Sequence, residues 1–149
     1  MEISRDPGLA GEVAAVLERL FGVFRSLSPR DGLSLTAAAT LATLERFGPS
    51  RLTWLAAREG VTQPAMTQLI TRLQDAGLVD RAADPADGRV AQIRLTDDGR
   101  ATVARRRAVR ADRLAELLAG LTPGERDALA AAVPAMDALA NTRRAGAWS

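Results

Sequence analysis

The sequence predicts a mostly α-helical fold carrying one small β-ribbon, and three observations lead there. Apolar residues recur at helical spacing through most of the chain. Two short β-prone segments, "LVDRAA" and "VAQIRL", flank an Asp-Gly pair. Ser or Thr stands just ahead of one helical pattern after another, where a side-chain oxygen can take a free amide hydrogen.

Leu9, Val13, Val16, Leu17, Leu20, Phe21, Phe24 and Leu27 form the apolar stripe of a first helix, broken by Pro29 and Gly32 in "SLSPRDG". Ser34 or Thr36 can cap a second, running through Ala37, Leu41, Leu44 and Phe47 until "GPS" stops it. A short third helix covers roughly residues 51–58, and Gly60 breaks the chain behind it. Thr62 opens a fourth, with Pro64 tolerated in a first turn whose amides lack helical partners; Gly77 ends it. In "DPADGR", Asp87-Gly88 is the dipeptide favoured in a tight hairpin, so the two β-prone segments should pair across it. Thr96 caps a long fifth helix, with Asp97 and Asp98 suiting the dipole at its start. "TPGE" is a capping box with Pro in the first helical position, opening a sixth helix that Pro134 should kink. The tail "NTRRAGAWS" is expected to fray.

Composition bounds the function. A chain of 149 residues, 47% hydrophobic and 26% charged, fits one folded domain. No apolar run reaches a membrane span and "MEISRDPGLAGE" lacks a signal layout, so a cytoplasmic protein with no membrane partner is expected. There is no Cys, His or Tyr. Disulfides, thiolate nucleophiles and the usual zinc or iron ligands are therefore missing, as is the commonest general acid/base. Neither a metal, a cofactor nor catalysis is expected. Net charge is only +2 and every basic residue is Arg, so nucleic-acid binding would need a local patch rather than a diffuse basic coat.

Such a patch is visible in "LAAREGVTQPAMTQLITRLQDAGLV", residues 55–79. Leu52, Ala56, Gly60, Met66 and Leu69 fall where a helix-turn-helix needs them: Ala56 lets two helices cross closely, Gly60 makes the turn, and Met66 and Leu69 pack the second helix back. With Met66, Leu69, Ile70 and Leu73 on the core face, Gln63, Pro64, Thr67, Gln68 and Thr71 lie opposite. Gln can pair bidentately with adenine, Thr can meet a thymine methyl or a phosphate, and Thr62 aims the helix start at the backbone. A β-ribbon directly after this helix, with Arg89 beside its tip, makes a winged helix; Arg89 could enter the minor groove or bind phosphate. Arg72, Arg81 and Arg94 could bind phosphates, or pair with Asp75, Asp80 or Asp84. Arg105, Arg106, Arg107 and Arg110 read as a solvated helix face, with a pocket-lining role open to some of them, or to Trp54 or Arg25.

Residues 52–99 resemble the MarR family of bacterial transcription regulators, most specifically in Gly77-Leu78-Val79, Arg81, "DPADGR" and "LTDDG". That family's wing usually reads Asp-Pro-x-Asp-Arg-Arg. Gly88 stands at the first Arg, Arg89 matches the second, and Asp87 matches the Asp that commonly positions it. The resemblance implies a homodimer interlocked through the first, fifth and sixth helices, on which each protomer presents one recognition helix and one wing. It also implies a pseudo-palindromic double-stranded DNA operator, released when a small organic or anionic effector enters between dimer helices and winged domain. Residues 1–33 and 122–149 would then be dimerisation helices, 34–99 the DNA-binding domain and 96–121 the connecting helix. The apolar stripe of the first helix and the Ala/Leu-rich "LAELLAGLTPGERDALAAAVPAMDAL" agree in needing a partner, unless they close a monomeric core. The rival expectation is a winged-helix module that binds protein and has lost DNA.

Overall fold

The computed structural model describes residues 6–142, so the tail beyond Thr142 lies outside the described residues. Its elements are α1 (Pro7–Leu27), α2 (Leu35–Phe47), β1 (Ser50–Arg51), α3 (Leu52–Glu59), α4 (Gln63–Asp75), β2 (Val79–Ala83), β3 (Ala91–Leu95), α5 (Asp97–Ala119) and α6 (Pro123–Asn141). The fold is mostly helical with a small antiparallel sheet, as the sequence predicts. Capping explains where the helices begin. Asp6 accepts from the Gly8 and Leu9 amides, Ser34 (not Thr36) from Ala37, Thr62 from Ala65 and Thr96 from Gly99. Thr122 and Glu125 cap α6 reciprocally, and Pro134 lies inside that helix without ending it.

Two sequence expectations need correction. The ribbon has three strands in the order β1-β3-β2, because Ser50 and Arg51 pair with Ile93 and Gln92 ahead of α3, which begins at Leu52. The wing tip is also not a two-residue hairpin. β2 and β3 are in register from Val79↔Leu95 to Ala83↔Ala91, leaving a loop from Asp84 to Val90. Within it the Val90 amide donates to the Asp87 carbonyl at 3.0 Å, and Gly88 is not among the glycines with positive φ. Asp-Gly thus turns the chain without the left-handed geometry of a tight hairpin.

The core cluster lies within the winged part, joined by Val103 of α5. Leu41, Leu55, Met66, Ile70 and Ile93 are fully buried where α2, α3, α4 and β3 converge. Gly99 fastens α5 to this core. A Cβ there would sit 2.1 Å from the Leu78 carbonyl oxygen, while the Thr96 amide donates to that same oxygen and the Thr96 hydroxyl donates to the Gly77 carbonyl. The outer helices are different. α1 buries only Leu27 and α6 buries nothing, leaving Leu17, Leu20, Phe21, Val133 and Met136 exposed in the single chain.

Candidate nucleic-acid interface

Gly60 closes α3 in the left-handed conformation at φ 68°, which places the Val61 amide 3.0 Å from the Ala56 carbonyl. Ala56 is buried at the crossing, and α4 then lies across α3 on Met66, Leu69, Ile70 and Leu73. Thr62, Gln63, Pro64, Thr67, Gln68, Thr71 and Arg72 are all exposed on the outer surface of α4.

Their hydrogen bonding divides them. The Thr67 hydroxyl donates to the Gln63 carbonyl and the Thr71 hydroxyl to the Thr67 carbonyl, both at 2.9 Å, so each retains lone pairs and a methyl group for a ligand. Gln63 and Gln68 make no side-chain hydrogen bond among the described residues, and Arg72 makes no ion pair among them. The three arginines left open by the sequence now separate. Arg94 grips Asp80, with Nε at 2.5 Å and Nη2 at 3.2 Å; Arg81 donates to Gln74; Arg72 keeps its donors. The hydrogen bond from Arg94 holds the Asp80 carboxyl below its ordinary pKa and raises that of Arg94.

Asp84 organises the wing, a role that sequence reasoning missed. Its buried carboxylate accepts from Arg51 Nε at 2.7 Å, from the Ala86 and Asp87 amides, and from Gln92. The Arg51 hydrogen bond and then the Ala86 amide outweigh burial and hold its pKa down, so the wing base is knotted around a carboxylate. Asp87 in turn accepts the backbone amide of Arg89 at 3.1 Å. It shapes the turn through the main chain and leaves the Arg89 guanidinium exposed at the tip.

A cavity of about 240 Å³ lies between α1, α2 and α5, lined by Phe21, Phe24, Val103, Arg106, Arg107 and Arg110 among others. Arg106 is 4% exposed; its Nη1 donates to Asp31 in the α1–α2 loop, and its Nε is buried with no partner. Arg107 pairs with Glu45 at 2.7 Å. Arg110 lies over the Phe24 ring at 4.4 Å with its own Nε buried and unpartnered. Burial, then the charges of Arg106 and Arg107, lowers the Arg110 pKa. The arginine cluster therefore splits: Arg106, Arg107 and Arg110 line the cavity, while Arg105 is exposed and donates to Thr102. Trp54 does not line it; the ring meets Phe47 edge-on at 5.5 Å beneath Arg58. Arg25 lines a separate polar groove beside Asp31 and Arg113. Among the described residues, no helix is long and apolar enough to cross a membrane.

Residues 31–90 match the model of the MarR family. The helix-turn-helix transcriptional regulator Mb0904 of Mycobacterium bovis is 37% identical over 137 residues, covering 92% of this chain and 96% of the relative. The crystal structure of Rv1404 from Mycobacterium tuberculosis superimposes with a TM-score of 0.76 at 28% identity, over 97% of this chain and 99% of that one. BpsR of Bordetella bronchiseptica, whose DNA binding is regulated by 6-hydroxynicotinic acid, shares the fold with a TM-score of 0.59 at 24% identity, over 92% and 96% of the two chains.

Proposed function

The chain belongs to the MarR family of transcriptional regulators rather than to any enzyme family, and from that premise we propose that it is a homodimeric repressor. It binds a pseudo-palindromic duplex and leaves it when a small organic or anionic effector binds. One observation carries the DNA reading. The outer face of α4 pairs two glutamine amides with two threonine methyls, flanked by Arg72 and the wing-tip Arg89, and neither the glutamines nor Arg72 have a side-chain partner among the described residues. An ordinary solvated face would mix Glu with basic residues. This one offers groups that read base edges, bounded by cations placed for phosphates. Thr62, Gln63, Pro64, Thr67, Gln68, Thr71, Arg72, Asp87 and Arg89 form the proposed surface, with Gln68 reading a base and Arg89 reaching the neighbouring groove or backbone.

Dimerisation is supported by the apolar surface that α1 and α6 leave uncovered, which is too large to expect on a monomer in water. Residues 1–33 and 122–149 would supply the dimer contacts, 34–99 the DNA-binding unit and 96–121 the connection between them. Two-fold symmetry then presents two recognition helices to successive major grooves, about 34–36 Å apart. The effector reading is supported by the arginine-lined cavity, which lies between the exposed face of α1 and the winged core. Binding there releases DNA only if it favours a conformation whose recognition helices are wrongly spaced. Acting on the chromosome places the protein in the cytoplasm.

A gel-shift series with the DNA upstream of its own gene, combined with a salt titration, tests this function. A discrete shifted species that weakens steeply with salt is expected. No shift at any salt concentration would leave the winged helix as a protein-binding module.

A further inference from the structure

We propose that α4 recognises thymine by its 5-methyl group, through Thr67 and Thr71, so that the centre of each half-site is made of A·T pairs. This inference rests on the DNA reading above and adds the base chemistry that is read. The two threonines are set apart by what their hydroxyls already do. Each donates its proton to the main-chain carbonyl four residues earlier, Thr67 to Gln63 and Thr71 to Thr67, both at 2.9 Å. A hydroxyl has one proton to give. Phosphate oxygens only accept, as do N7 and O6 of guanine. A threonine whose proton is spent inside the helix has no donor for either. The exposed Thr67 and Thr71 are left with a methyl group and oxygen lone pairs to present.

Their place on the helix makes the methyls the useful part. Pro64, Thr67, Gln68 and Thr71 follow one another at intervals of three and four, and so share one stripe of α4 away from the buried Met66, Leu69, Ile70 and Leu73. That stripe carries a proline ring, two threonine methyls and one amide, with no charge among them. Arg72, the one cation of α4, stands at its flank, where it lines a cleft with Leu69, Leu73 and Ala76 beside residues 31–34. Guanine is most often recognised by a bidentate arginine, and the stripe has none. Apolar contact marks the thymine methyl in the major groove, while a glutamine amide pairs with N6 and N7 of adenine. Gln68 supplies that amide between the two threonines, with no side-chain partner among the described residues. The stripe therefore matches adenine on one strand and thymine on the other.

The test uses the full-length protein and the duplex it selects from a random pool, resynthesised with deoxyuridine in place of thymidine at one position at a time. Deoxyuridine pairs with adenine as thymidine does and lacks only the methyl. Substitution at the thymines facing Thr67 and Thr71 should each lower affinity roughly fourfold, the worth of one buried methyl, and substitution elsewhere should change little. Thr67→Ser and Thr71→Ser keep the hydroxyl and drop the methyl, so each should bind the thymine and uracil duplexes equally at one of those positions. Thr67→Val and Thr71→Val keep a methyl and drop the hydroxyl, so each should go on preferring thymine. The substituted duplexes test the idea on the wild-type protein even if a variant misfolds. A selected site whose affinity is unmoved by uracil at every position would overturn methyl reading and leave DNA recognition standing. Valine variants that lose the thymine preference while serine variants keep it would overturn it in favour of the hydroxyls. Failure to select any sequence would remove the DNA reading and this inference with it.

Discussion

Gln68 occupies the middle of the exposed α4 face with its amide uncommitted, so losing that amide should cost sequence preference rather than folding. Gln68→Ala is expected to weaken cognate binding by roughly 1–3 kcal/mol and to relax preference at one position in each half-site. A binding-preference profile identical to the wild type's would show that Gln68 reads nothing. Arg89 should behave differently, because a wing-tip cation meets phosphate or a narrow groove. Arg89→Ala should weaken all sequences alike and lower the slope of log affinity against log salt by about one; an unaltered slope would remove Arg89 from the interface. Asp84 never touches DNA in this account. Asp84→Asn should nevertheless mimic the loss of Arg89 by slackening the Arg51 brace and the loop it organises, while leaving the α4 base preferences intact. Chemical shifts confined to the wing would confirm that cause. Acid should reach the same contacts. The Asp80 and Asp84 carboxyls are held low by Arg94 and Arg51; at Asp31 burial opposes ionisation, but hydrogen bonds from Arg106 and Leu33 more than offset it. A carboxyl with a lowered folded pKa stabilises the fold above its ordinary value near about 3.9, and that contribution disappears as pH falls through the folded value. Thermal stability should therefore hold down to about pH 5 and decline below it, which a series of melting curves would show.

At the scale of the element, the joint between wing and connecting helix depends on Gly99, where the carbonyl of Leu78 leaves no room for a methyl group. Gly99→Ala should destabilise the winged domain by about 1–3 kcal/mol through forced displacement of α5. Denaturant unfolding would measure this, and a variant as stable as the parent would mean that the joint yields freely. Gly99 also shows why so much of the fold could be read from sequence. The "LTDDG" motif announces the helix that carries it, with Thr96 as cap, just as Thr62 and Gly60 announce the ends of the helices flanking the turn, whereas the close approach to Leu78 is visible only in the fold. Other features depend on partners distant in the chain. β1 has two residues, too few to show any period, and exists because β3 pairs with it. Asp84 reads as a loop residue until Arg51, 33 positions earlier, is folded against it. The Arg106–Asp31 pair spans 75 positions, so the sequence could offer the arginine cluster as a pocket lining but not the partner that holds Arg106. The wing tip misled for another reason. Asp87-Gly88 favours a tight hairpin in isolation, but the Asp84 carboxylate holds the Ala86 and Asp87 amides in a wider loop.

For the whole molecule, the winged part holds the buried core, while α1 and α6 remain apolar and uncovered. Sedimentation of the intact chain should give a dimer at micromolar concentration, and a monomer would contradict the account of those helices. Removing the residues before Ser34 should produce a monomeric or aggregating protein. Its two half-site contacts would no longer be coupled, and specific binding would be lost with them. The central claim joins these scales: two copies of the α4 face, held at one fixed spacing by the outer helices, read a symmetric duplex. The most direct test is selection of binding sites by the wild-type protein from a random pool of duplex DNA, followed by sequencing. The account predicts enrichment of an inverted repeat whose half-site centres lie about 10–10.5 base pairs apart or a multiple of that spacing. Enrichment of a single unpaired half-site, or of no sequence above the starting pool, would contradict it.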